Sequence, residues 1–149
     1  MELVFALKSG GMKITEADAL SHIYGCAAGL DMTRRDLQNK AKENRKPWDT
    51  AKDVDESAVI TPLRQMSEVR SVASGRIHLS QNGTVKQDAD LSEMVWSVPE
   101  IIADLSTMYT LQQGDVIYMG TPAGVGAVSR GDVLTGGVEG IGDFEVKIA

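Results

Sequence analysis

The segment Arg76-Ile-His-Leu-Ser-Gln-Asn-Gly-Thr-Val-Lys86 constrains the fold more than any other stretch of the chain. Apolar and polar residues alternate along it on both sides of Asn82-Gly83, a pair that tolerates positive φ and closes a two-residue hairpin. An antiparallel pair of this kind has one face to bury, so the rest of the chain must supply a cover for it. The C-terminal third is of the same character. Gly-Asp recurs at Gly114-Asp115, Gly131-Asp132 and Gly142-Asp143, each beside residues that favour strands, and Phe144-Glu-Val-Lys-Ile148 reads as a last strand. These steps are turns between strands rather than units of a repeat. The expectation is a mainly β domain with a few short helices.

The first half adds the helices. Glu2-Leu-Val-Phe-Ala-Leu7 reads as a buried strand, and Gly10-Gly11 turns the chain. Thr15-Glu-Ala-Asp18 resembles a helix start, with Ala17, Leu20, Ile23 and Tyr24 on one helical face. Thr33 with Asp36 offers a second start, continued by Leu37 and Ala41 and stopped between Asn44 and Pro47. Ser97-Val-Pro-Glu100 is a capping box, and Ile101, Ile102, Leu105, Met108 and Tyr109 mark the expected buried face behind it.

Composition excludes several functions. With 15 Lys and Arg against 21 Asp and Glu, the formal charge is −6, and no concentrated basic face is available to displace counterions from a nucleic acid. The only cysteine, Cys26, precludes an internal disulfide, fits a reducing compartment and reads as a small core residue. No window approaches the ~20 apolar residues of a membrane span, and no secretory signal is visible, so a cytoplasmic setting is expected. At 149 residues the chain suits one domain spanning 1–149. It enters its first strand at once, which suggests that an N-terminal part of that domain is missing.

The polar residues gather in two places. Gly29-Leu-Asp-Met-Thr-Arg-Arg-Asp-Leu-Gln38 and Lys46-Pro-Trp-Asp-Thr-Ala-Lys52 bring together a carboxylate, two guanidiniums, an amide and an ammonium. Gly114-Asp-Val-Ile-Tyr-Met-Gly-Thr-Pro-Ala-Gly-Val-Gly126 is a Gly-rich turn that exposes Thr121 and its backbone donors. Such a set suits a divalent ion and a 2-oxo acid held side by side. Read alone, Glu2 is an exposed terminal residue, Asp31 an acceptor at a helix start and Lys52 a solvated lysine.

These motifs, in this order, resemble the fumarylacetoacetate hydrolase family over nearly the whole chain. The resemblance implies that family's C-terminal-domain fold, a mixed β-sandwich or roll. It also implies a metal site in which Glu2 and Asp31 are ligands, the first Glu of a Glu-x-Glu pair falling before Met1, with Mg2+ as the ion and Mn2+ or Ca2+ as alternatives. Arg35, Gln38, Lys52 and Thr121 match substrate-binding positions, Lys52 being also the catalytic lysine beside the metal. Lys52 is followed by Asp53-Val54 where the family commonly has an aromatic step, and Met119 stands in place of the usual first Thr of the Gly-rich turn.

Within the family, Asp31 to Gln38, Asp90 to Glu100 and Thr121 to Val128 are most similar to the acylpyruvate hydrolase branch. The implied reaction is hydrolysis of a carbon-carbon bond in 2,4-dioxo acids such as fumarylpyruvate, a step in aromatic catabolism, giving pyruvate and a carboxylic acid. Arg34 is an extra cation suited to a second substrate carboxylate. Oxaloacetate decarboxylation is the alternative chemistry. A catalytically incomplete, dimerising hydrolase-like domain is the alternative of another class. The family implies a homodimer, and a His and Glu pair on an N-terminal segment as the source of the general base.

Overall fold

Every residue from Glu2 to Leu7 is buried, and the computed structural model, which describes residues 1–149, forms them into strand β1 (Glu2–Leu7). Successive side chains leave a strand on opposite faces. Leu3, Phe5 and Leu7 therefore enter the core, and Glu2 and Val4 face the other way. After helix α1 (Glu16–Ala19) and a 3-10 turn, strand β2 (Ile23–Asp31) returns antiparallel with Glu2 opposite Gly29 and Val4 opposite Ala27. Two more helices come next, α2 (Arg35–Glu43) and α3 (Asp49–Lys52), and then short strands β3 (Ala58–Ile60) and β4 (Arg64–Gln65), both paired with β2.

The second half opens with the hairpin, β5 (Arg76–Gln81) and β6 (Thr84–Asp90), whose turn residues Asn82 and Gly83 adopt φ of 52° and 77°. Helix α4 (Val98–Met108) precedes strand β7 (Val116–Tyr118), and β8 (Val133–Val138) and β9 (Gly142–Lys147) close the chain. The strands form two antiparallel sheets. One runs β3-β2-β1-β7 with β4 beside β2, and the other runs β6-β5-β8-β9.

One core joins them. Leu3, Phe5, Cys26, Ala28 and Leu30 of the first sheet cluster with Ile77, Leu134 and Val138 of the second and with Ile102 of α4. Phe5 is wholly buried, which is worth about 1.5–3 kcal/mol relative to exposure. The fold is the mainly β one expected, with short helices at its margins. No helix is long and apolar enough to cross a membrane.

Local expectations differ in four places. Ile23 and Tyr24 belong to β2, because α1 ends at Ala19 and its 3-10 continuation stops at His22. Thr33 does not cap α2, whose N-cap is Arg34 without a side-chain bond. Met108 and Tyr109 are 61% exposed, and the buried stripe of α4 is Val98, Ile102 and Ser106. Ser106 is there because its hydroxyl accepts the otherwise free Ile14 N–H at 2.8 Å. Gly142-Asp143 lies inside β9, and the turn before it is Glu139 to Ile141.

Candidate active site

Glu2, Gly29 and Asp31 share one face of the β1-β2 pair, since Gly29 is opposite Glu2 and Asp31 lies two residues further along β2. Glycine at 29 is required by what lies on that face. A Cβ there would meet Val4 Cγ2 at 2.7 Å, Tyr118 Cε1 at 2.8 Å and the Val59 carbonyl at 2.8 Å. The Tyr118 ring thus reaches from β7 to lie over Gly29, and its hydroxyl donates to the Val59 carbonyl of β3 at 3.1 Å. The two carboxylates stand at the end of this brace. Glu2 is only 6% exposed, which removes the reading of it as a solvated terminal residue.

Burial pushes the Glu2 carboxyl above its ordinary value; the Gly120 N–H, donating to Oε2 at 2.8 Å, opposes the shift, and the negative charge of Asp31 adds to it. The Tyr118 phenol is raised by burial and then by Asp31 and Glu2, so the three groups share one field. Two neighbouring carboxylates, each with one oxygen free of direct hydrogen bonds, fit a hard divalent cation. No third His, Cys, Asp or Glu joins them. An ion held by the pair would draw its remaining ligands from water and substrate oxygens, as Mg2+-type ions commonly do.

Lys52, the last residue of α3, places Nζ 2.5 Å from Asp31 Oδ2 and 3.0 Å from Thr33 Oγ1. Thr33 therefore serves the lysine rather than the helix start. The local backbone makes this possible: Arg34 N donates to the Ala51 carbonyl at 3.0 Å and Met32 N to Ser57 at 2.9 Å, which pins α3 and the chain after it against the end of β2. In the first turn of α2, Arg35 Nη1 donates to Gln38 Oε1 at 3.1 Å, and Gln38 is buried. These two side chains, three residues apart on the helix, are joined, leaving the Gln38 amide N–H atoms as donors.

The Gly-rich turn continues the ladder of β7. Met119 N donates to the Leu3 carbonyl, and Gly120, at φ 92°, aims its N–H at Glu2. Thr121 Oγ1 accepts from Gln87 Nε2 at 2.9 Å and from Met1 N at 3.1 Å, and donates to the Met1 carbonyl at 2.9 Å. A hydroxyl has one donor and two acceptor sites, so this one is fully engaged. Donors toward an anion come instead from the turn's backbone: from Ala123 to Val128 no N–H donates within the protein.

Gln87 is the residue sequence reasoning missed. It is 2% exposed, and Nε2 also donates to the Pro122 carbonyl at 2.9 Å, tying the turn to β6. The sign of it in the sequence is a polar residue at an inward strand position, opposite Leu79. Gly124, at φ 102°, lies directly against the Lys86 carbonyl, leaving no room for a side chain.

A cavity of about 380 Å3 opens beside this turn, and Asp31, Arg35 and Thr121 line it while Glu2, Gln38 and Lys52 do not. A second hollow of about 610 Å3, near Met94 and Trp96, touches only Thr121 of the expected residues. His22 bonds to Ser9 at 3.0 Å and His78 leaves Nδ1 buried without a partner; neither lines either hollow. Trp48 and Trp96 are 46% and 49% exposed, so neither is a core residue.

Residues 1–149 match the fumarylacetoacetate (FAA) hydrolase C-terminal family. The chain is 50% identical to fumarylpyruvate hydrolase of a Ralstonia species over 99% of its own length and 77% of that protein's. It is 34% identical to the mitochondrial oxaloacetate tautomerase of Rattus norvegicus, over 99% of the chain and 67% of the relative. The crystal structure of fumarylpyruvate hydrolase from Pseudomonas aeruginosa in complex with Mn2+ and pyruvate superposes with a TM-score of 0.96 at 41% identity. That match covers 99% of this chain and 64%, just under two thirds, of the other.

Proposed function

Since the chain belongs to the fumarylacetoacetate hydrolase family, we propose that it carries the chemistry of an acylpyruvate hydrolase, with fumarylpyruvate as the leading substrate. The observation that carries this reading is the Lys52-Asp31 pair beside Glu2, in a chain 41% identical to an enzyme crystallised with Mn2+ and pyruvate. Water adds to the distal carbonyl of the 2,4-dioxo acid, and the bond between that carbon and the next breaks. The electron pair passes into the pyruvate fragment as its enolate, which then takes up a proton, and the other fragment leaves as a carboxylic acid.

Each residue has a part in this that its geometry supports. A divalent cation held by Glu2 and Asp31 supplies Lewis-acid polarisation of the 2-oxo acid when bound, Mn2+, Mg2+ and Ca2+ all being hard enough for two carboxylates. The Lys52 ammonium, held beside Asp31, would lower the energy of the charge that develops on the 2-oxo oxygen. Arg35 offers its free guanidinium N–H groups to the substrate carboxylate, and the Gln38 amide donates to an oxo oxygen. The turn at Thr121 contributes backbone donors. A cytoplasmic homodimer is the expected form.

The test is pyruvate release by the purified chain from fumarylpyruvate, acetylpyruvate and oxaloacetate, with Mn2+ or Mg2+ and with a chelator. Metal-dependent release that Asp31→Ala and Lys52→Ala abolish is the expected result. A folded chain that binds Mn2+ but turns over none of the three overturns it and favours an incomplete, pairing domain. The similarity to an oxaloacetate tautomerase favours one second reading, enolisation or decarboxylation of oxaloacetate, because that chemistry needs the same enolate stabilisation without activated water. Turnover of oxaloacetate alone would select it.

A further inference from the structure

The cavity beside the Gly-rich turn holds two cations that the proposed reaction does not use. Arg34 and Lys86 line it, one at the start of α2 and the other on β6, and neither forms an ion pair or side-chain hydrogen bond within the protein. Both are held by their backbones rather than by their heads. Arg34 N is fixed to the Ala51 carbonyl at 3.0 Å, and Lys86 lies where Gly124 packs on its carbonyl.

The carboxylates nearby are otherwise engaged. Asp31 is paired with Lys52, and Asp132, the acid that feels the Lys86 charge, already accepts from Gln81, Asn82 and the Ser129 N–H. Asp36 is the one uncommitted acid on the wall. The turn closing the third side presents the backbone N–H groups of Gly124 to Val128, none of which has a partner in the protein. Beneath these donors the floor is apolar, formed by Leu30, Leu79 and Leu134.

We infer that this cavity is a subsite for a small anion with a hydrocarbon body, and that Arg34 and Lys86 select a substrate whose remote end carries a second carboxylate. This deepens the hydrolase reading and rests on it for the identity of the substrate. An apolar floor holds the unsaturated carbons, while two uncommitted cations and a row of free N–H groups replace the water around the carboxylate. Asp31, on the rim of the cavity and in the metal pair, joins the two ends.

Fumarate and crotonate separate the idea from its rivals, because crotonate has a methyl group where fumarate has its second carboxylate. Binding of each is followed by NMR and calorimetry, with Mn2+ and pyruvate titrated separately. The expected result is that fumarate binds at least tenfold tighter than crotonate and shifts the amides of Gly124 to Val128. Arg34→Ala and Lys86→Ala each remove most of that preference while leaving the fold, by circular dichroism, and Mn2+ affinity unaltered. Equal affinity for the two acids, no fumarate binding, or a preference that survives both substitutions overturns the subsite. If fumarate is selected as expected but pyruvate and Mn2+ do not bind, the hydrolase reading fails and the anion subsite stands.

Discussion

Lys52 Nζ lies 2.5 Å from Asp31 Oδ2, so the ammonium proposed to steady a developing negative charge holds, in the ligand-free protein, one oxygen of a proposed metal ligand. Metal and lysine therefore compete for Asp31. Lys52→Met is expected to tighten Mn2+ binding roughly 3–10-fold by removing a cation from its neighbourhood, yet to lower turnover on the order of 100-fold or more. Opposite signs in calorimetry and in a pyruvate-release assay are the signature. A fall in both would mean that Lys52 chiefly holds Asp31 in place.

Gly29→Ala tests the brace beneath the two carboxylates. Its methyl group would stand 2.7–2.8 Å from Val4, Tyr118 and the Val59 carbonyl, and the last of these cannot move without β3. Overpacking of this kind costs about 1–3 kcal/mol, readable in urea unfolding. Because Tyr118 must yield, the loss should shrink in Gly29→Ala/Tyr118→Leu compared with the sum of the single substitutions.

For Gln87 the expected loss is one of unmade hydrogen bonds. Gln87→Leu leaves the Pro122 carbonyl without its donor and the Thr121 hydroxyl with only that of the Met1 amine, at about 1–3 kcal/mol of stability. Faster exchange of the Gly120 N–H should accompany it, since the same turn aims that group at Glu2. Unchanged exchange at Gly120 would show that Glu2 holds the turn unaided.

Cys26 gives a pH dependence with a definite sign. Burial raises its thiol from 9.0 to about 11, against a smaller opposing effect of Arg64. Between those values the native protein binds more protons than the unfolded chain, so this group's contribution to stability falls as pH rises above 9.0, by at most about 1.4 kcal/mol per pH unit. Comparing unfolding of the wild type and Cys26→Ala from pH 8 to 11 isolates the slope. Iodoacetamide at pH 8 should modify Cys26 only as fast as the protein opens.

What the sequence made legible was local and repetitive. The hairpin at Asn82-Gly83, the capping box at Ser97 and the first strand all depend on neighbours within a few residues, and all three are as expected. Thr33 misled because a hydroxyl two residues before a helix satisfies the same pattern whether it caps that helix or accepts from a lysine on the next one. The end of α1 was misplaced for a related reason: Ile23 and Tyr24 keep a helical spacing, but pairing with β1 across the sheet decides their conformation. Tyr118 and Gln87 act across 59 and 34 residues respectively, distances over which no local pattern carries information.

The tyrosine that crosses from β7 to β3 has a consequence for ion choice. A metal site on loops can breathe to suit ions of different radius. Here Glu2 and Asp31 sit on paired strands tied edge to edge by one phenol, so widening the gap between them would mean bending a hydrogen-bonded sheet against an aromatic strut. Discrimination between small and large cations at the proposed site would then be a mechanical property of the sheet, set by the length of a side chain whose hydroxyl is spent on the Val59 carbonyl.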